Sequence, residues 1–154
     1  MQFRRFGRTD LQVSLVGLGS GGPSQLGQTT GVSEQQSVAV VRRALDLGIN
    51  LIDTSAGYLE SEVLIGQAIE DVARDSVVLA TKFHPVDLSS GSVNEQDSLQ
   101  PFLERSLQRL GVDHVDLFQF HGVLPQFYQE VLDRFLPVAR RCQEHGMFRF
   151  LGIT

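Results

Sequence analysis

The amino-acid sequence predicts an α/β fold in which helices join the strands of a parallel β-sheet and a β-hairpin comes first. Three observations predict it. Short apolar runs of strand length alternate with longer stretches whose apolar residues recur at helical spacing. After the hairpin the order is β-α-β-α-β-α-β-α-β, about five strands and four helices, and strands joined by helices run parallel. The composition is that of a folded chain, with 42% hydrophobic and 20% charged residues among 154. Residues 1–154 therefore read as a single domain, which at this size buries up to ~70% of its unfolded surface.

The elements follow in order. Residues 3–6 and the alternating Leu11, Val13 and Leu15 flank the turn-forming Gly7-Arg8-Thr9-Asp10, which gives the hairpin. Leu15-Val16-Gly17-Leu18-Gly19 reads as a first buried strand that stops at Ser20-Gly21-Gly22-Pro23. Ser33 with Gln36 forms a capping box, Val38, Val41 and Leu45 share one helical face, and Gly48 is the stop. Residues 50–53 are a short strand. Ser61 opens a second helix carrying Val63, Leu64, Ala68, Ile69 and Val72, and residues 77–82 are a buried strand. Residues 83–94 read as a polar loop. The next helix starts near Ser98, because Pro101 is tolerated only in a first turn, and Gly111 ends it. Residues 115–120 form a strand ending at His121. A helix over 126–145 follows, which Pro137 is expected to kink or split, and residues 148–153 form the fifth strand.

Several function classes are excluded or disfavoured. No apolar run is long enough to span a membrane, and the basic start MQFRRFGRTD is not followed by a signal core, so neither a membrane nor a secretory route is expected. The net charge of −5 argues against a nucleic-acid partner. The lone Cys142 forbids an internal disulfide and fits a reducing, cytoplasmic setting, with packing as its default role. His84, His114, His121 and His145 lack the spacing of a metal site, so none is expected. Gly17, Gly19 and Gly22 fit G-x-G-x-x-G, but Pro23 and a polar stretch to Gly31 stand where a dinucleotide fold needs its helix. Phe102, Phe118, Phe120 and Phe135 read as core, and Arg4-Arg5 and Arg140-Arg141 as solvated faces.

Polar residues close three of the strands. Asp53, Lys82 and His121 stand at successive carboxyl ends, which in parallel α/β sheets form one rim, and Tyr58 can lean over it from the loop after Asp53. Together these residues suit protonation of a carbonyl oxygen. An ammonium beside a phenol favours phenolate, a carboxylate offsets burial of the ammonium, and a histidine can hydrogen-bond the carbonyl. Taken singly, Asp53 reads as a helix cap, Lys82 as a solvated strand end, His121 as a core histidine and Tyr58 as packing. Jointly, on consecutive strand ends, they read as a site.

At these residues the sequence resembles the aldo-keto reductase family. The matching pieces run in family order: Gly7 to Ser14, Val16-Gly17-Leu18-Gly19, Ala44 to Asn50, then Asp53-Thr54 and Tyr58. After these come Ser61-Glu62 with Gly66, Thr81-Lys82, Ser106 to Gly111, Asp113 to Leu117 with His121, and Phe150 to Thr154. The resemblance implies a partial TIM-type (β/α) barrel, the N-terminal half only, since a full barrel takes about 250 residues. It implies reduction of an aldehyde or ketone by NAD(P)H, or the reverse oxidation. The cofactor would be NADPH, with NADH not excluded, and the substrate a small carbonyl compound. Tyr58 would be the general acid, Lys82 would tune it, Asp53 would anchor Lys82, and His121 would orient the carbonyl. Gly19, Ser20, Asp53 and Thr154 fall near the cofactor. Three positions depart from the family: Leu59 stands where glycine is common, Ser55 where alanine is frequent, and Gly122 where Trp or Asp is familiar.

Family loops that hold most of the cofactor's phosphates and adenosine would follow the fifth strand. The chain alone is therefore expected to hold cofactor weakly, to reduce little, and to self-associate or pair with a C-terminal half. Two alternatives stay open. One is a non-catalytic truncated remnant or assembly partner. The other is a Schiff-base aldolase using Lys82 as nucleophile.

Overall fold

In the computed structural model, which describes residues 1–87 and 89–154, the hairpin forms as the sequence predicts. Strands β1 (Phe3–Arg5) and β2 (Gln12–Ser14) pair antiparallel, with Arg4 opposite Val13. The chain then bends. Leu15 and Val16 are exposed, and only β3 (Leu18–Gly19) joins the main sheet, so the expected buried strand over 15–19 is shortened to its last two residues. The Ser14 hydroxyl donates to the Val16 carbonyl at 2.7 Å and the Leu15 N–H to the Gln2 carbonyl at 2.9 Å. These local bonds take the groups that a longer strand would have offered to the sheet.

Helix α1 (Glu34–Asp46) starts at the predicted capping box: Ser33 Oγ accepts from the Gln36 N–H, and Gln36 Oε1 accepts from the Ser33 N–H. No helix opens at Gly22. Strand β4 (Leu51–Asp53), helix α2 (Ser61–Ile69) and strand β5 (Val78–Phe83) follow as expected. Residues 83–94 differ from the polar loop the sequence suggested. They hold a small antiparallel pair, β6 (Val86–Asp87) with β7 (Ser92–Val93), and Val86 is buried. The Asp87 carboxylate accepts from Ser89 N–H and Oγ, and Gly91 turns back at φ 67°.

Helix α3 (Leu99–Leu110) ends at Gly111, and β8 (Val115–Phe120) follows. Helix α4 (Tyr128–Glu144) runs through Pro137 as one helix, so of the expected kink or split the split does not occur. Pro137 lies on the exposed side, where water can satisfy the carbonyl it frees, while Val131, Phe135, Val138, Ala139 and Cys142 hold the opposite face in the core. Strand β9 (Phe148–Ile153) closes the series.

The sheet order is β3-β4-β5-β8-β9, all parallel, so sequence neighbours are spatial neighbours, as in a barrel opened between its first and fifth strands. Alternation along the strands divides the side chains. Ile52, Leu79, Phe118 and Phe120 face the helices and form the main core with Leu64, Leu103 and Phe135. On the concave side Leu51, Val78, Leu117 and Phe150 pack against Leu11 and Val13 of the hairpin. The hairpin thus plugs the amino-terminal end of the concave face. The next positions along that face, toward the carboxyl ends, are polar.

Candidate active site

Register builds the rim. Gly19 pairs with Asp53, Lys82 with Gln119, and Gln119 with Gly152. His121 and Thr154 stand one step beyond their strands. All of them belong to the concave parity, so the side chains at the carboxyl ends converge.

Lys82 is the buried centre, 5% exposed. A buried ammonium needs anionic and hydrogen-bonding partners, and it has both. Its Nζ donates to Asp53 Oδ2 at 2.6 Å and to the Thr54 carbonyl at 2.8 Å. Asp53 remains partly open to solvent, and its other oxygen accepts a long bond from Gln119 Nε2 at 3.4 Å. The Lys82 ammonium also lies 5.1 Å from the centre of the Tyr58 ring, within cation–π range.

Tyr58 comes from the loop between β4 and α2. Its ring lies on the backbone of Gly21: a Cβ there would meet Tyr58 Cε2 and Cζ at 2.8 Å. Gly21 therefore clears the space Tyr58 fills. The predicted departure at Leu59 has a structural counterpart, because Leu59 takes φ 51°, a left-handed conformation in which glycine is at ease.

His121 Nδ1 is 2.6 Å from Thr154 Oγ1. The His84 ring stands edge-on to it, centres 4.6 Å apart. Burial and then the Lys82 charge push the His84 imidazole below its ordinary value of 6.5. Burial pushes His121 down too, helped by His84 and Lys82 and opposed by Asp53. Both rings are therefore favoured neutral. Gly57 and Gly122 flank His84, and a Cβ on either would come within 3.7 Å of its ring nitrogens.

The structure thus brings together Asp53, Tyr58, Lys82, His121 and Thr154, all singled out in the sequence. It adds His84, Gln119, Gly21 and the Thr54 carbonyl, which sequence reasoning missed. Gln119 carried a signal, as a polar residue in phase with the site on an apolar strand. His84 carried only its spacing of two from Lys82. Gly19 and Ser20 lie at the same rim. No atom lies within 4 Å of the place a Gly19 Cβ would take, and Ser20 is fully buried with its hydroxyl unpartnered among the described residues, as is that of Thr54. Cys142 is buried on α4, on the opposite side of the sheet, where burial pushes its thiol up.

The model of the aldo/keto reductase family matches residues 16–154. The chain is similar to L-galactose dehydrogenase of Arabidopsis thaliana, with 33% identity over all of this chain and 48% of that protein. It is similar to the NADH-specific methylglyoxal reductase of Escherichia coli K12, with 32% identity over 95% of this chain and 49% of that protein. Among solved structures, the thermostable aldo-keto reductase Tm1743 superposes with a TM-score of 0.81 at 28% identity, covering 99% of this chain and 53% of its own. The holo form of aldo-keto reductase AKR11C1 from Bacillus halodurans gives 0.81 at 26%, covering 100% and 50%. The chain spans about half the length of the curated relatives it matches.

Proposed function

The chain belongs to the aldo/keto reductase family, and from that premise we propose that its rim reduces an aldehyde or ketone to an alcohol, or runs the reverse oxidation, with a nicotinamide cofactor. One observation carries the reading: a buried lysine, held by Asp53 and the Thr54 carbonyl, lies over the ring of a tyrosine at the open end of a parallel sheet. The cofactor supplies the hydride when bound. The unpartnered Ser20 hydroxyl and the open space at Gly19 fit the nicotinamide end, with Asp53 and Thr154 beside it.

The chain's own residues do the rest. Tyr58 gives its hydroxyl proton to the carbonyl oxygen as that oxygen gains charge. The Lys82 ammonium stabilises the negative charge left on the phenolic oxygen, and Asp53 holds the ammonium in place. Neutral His121, held through Nδ1 by the Thr154 hydroxyl, orients the same carbonyl oxygen by a hydrogen bond from its Nε2–H when that nitrogen carries the proton, while the proton transferred comes from Tyr58 alone.

We assign NADPH, with NADH as the parallel arm of the test because the E. coli relative is NADH-specific. The substrate class is a small carbonyl compound, and a single buried cysteine fits a reducing cytoplasmic setting. Lys82 as a Schiff-base nucleophile is disfavoured, since its nitrogen is already committed to two acceptors. Borohydride trapping with a carbonyl compound is expected to leave no adduct on Lys82.

The test is reduction of an aldehyde by the purified chain with NADPH or NADH, beside Tyr58→Phe. Turnover by the chain alone is expected to be slow at most, and with a C-terminal half completing the barrel it is expected to fall by roughly 10²–10⁴ in the variant. Turnover untouched by Tyr58→Phe overturns the assignment of the acid. Neither cofactor binding nor turnover in the parent would favour the reading of the chain as a non-catalytic assembly partner.

A further inference from the structure

The backbone just after Tyr58 is held in a shape its sequence opposes. Leu59 sits at φ 51°, where a residue with a Cβ is strained. Its side chain is half exposed, so it gains little packing in return. What holds the turn comes from another element. Arg109, in the last turn of α3, donates from Nη2 to the Leu59 carbonyl at 2.7 Å and to Glu60 Oε2 at 3.2 Å. Its Nε lies 3.7 Å from Glu62 Oε2. Glu62 is fully buried, and its other oxygen accepts from Thr81 Oγ1 at 2.7 Å, one residue before Lys82. Gly66 lets α2 and α3 come close enough for this, since a Cβ there would meet the Arg109 carbonyl at 2.6 Å.

We propose that Arg109 is a positioning residue for Tyr58: its guanidinium holds the Leu59 carbonyl, and with it the left-handed turn that lays the Tyr58 ring on Gly21 and beside the Lys82 ammonium. Glu62 is the buried counter-ion that aims the guanidinium. The fork of Arg109 hydrogen-bonds a carbonyl and one carboxylate while its Nε faces a second, buried carboxylate at ion-pair distance, which a point charge on a lysine cannot match. The importance of the turn for catalysis rests on the carbonyl-reduction reading, whereas the clamp itself is a statement about the loop.

The test uses the tyrosine content. The chain has no Trp and two Tyr, and Tyr128 is an exposed residue on α4 outside the rim, so Tyr128→Phe leaves Tyr58 as the emitter. In that background acrylamide quenching of Tyr58 emission is measured without cofactor or substrate. Arg109→Gln is expected to raise quenching, and adding Leu59→Gly is expected to bring it back toward the parent, because glycine holds φ > 0 without a clamp. An Arg109 that only joined α2 to α3 would lower the unfolding midpoint, leave quenching of the folded protein unchanged, and gain nothing from Leu59→Gly. Parent-like quenching in folded Arg109→Gln overturns the proposal, and so does a double variant no better than the single one. If Arg109→Gln does not fold, Leu59→Gly alone decides: a raised unfolding midpoint is expected, and an unchanged or lowered one overturns the strain on which the clamp rests. Since no reduction is measured, a failed carbonyl-reduction reading leaves this result standing, and the converse also holds.

Discussion

Lys82 shows how one residue organises a rim. An ammonium 5% exposed would be expelled or neutralised without partners, so Asp53 and the Thr54 carbonyl are conditions of its burial. Lys82→Met is expected to lower carbonyl turnover in the same direction as Tyr58→Phe, read by cofactor oxidation with folding checked by circular dichroism. Gly21→Ala is a sharper probe. Its methyl would enter the Tyr58 ring, so turnover is expected to fall although no polar group is lost. The histidine pair gives a pH signature. In the folded chain His84 and His121 titrate below the 6.5 they would have when unfolded, so the unfolded chain binds more protons as acid is added. Stability is therefore fully present above pH 6.5 and lost as pH falls through the folded values, and a urea midpoint followed downward from neutrality is expected to drop less in His84→Asn. The four rim residues were legible because each is a polar break at the end of an apolar strand or in the loop beside it. His84 was not, because its partners Gly57, His121 and Gly122 come from two other loops and meet only in space.

Elements were legible where local signals stood alone and were missed where tertiary packing overrode them. The Ser33 capping box formed as read, and Ser33→Ala is expected to cost about 1 kcal/mol in a denaturation series. Pro137 was the opposite case. The sequence left a kink or a split open, and the helix does not split because the buried face of α4 outweighs one missing bond on its wet side. The β6–β7 pair was missed because two strands of two residues carry almost no periodicity, though Asp87 and Gly91 marked the turn. Helix proximity rests on Gly66, a position that the sequence alone leaves ambiguous. Gly66→Ala would push against the Arg109 and Leu110 carbonyls and is expected to destabilise by about 1–3 kcal/mol, read from the same denaturation series.

At the scale of the whole molecule, the fold carries an apolar concave floor plugged by a hairpin and a polar rim above it, with β3 and β9 at the two edges of the sheet. Six-residue β9 has a partner on one side only among the described residues, and an open strand edge is a template for further pairing. We expect residues 1–154 to behave as one domain that self-associates through these edges; sedimentation that finds only monomer across a wide concentration range would contradict this. Chemistry at the rim is best followed by a measurement that tolerates slow turnover. The purified chain is incubated with an aldehyde and nicotinamide cofactor deuterated at the transferable position, and the alcohol is analysed by mass spectrometry beside that from Tyr58→Phe. Deuterium is expected on the carbinol carbon with the parent chain, and a loss toward background with the variant. Equal labelling by both, or no label from the parent at any concentration, would contradict this chemistry.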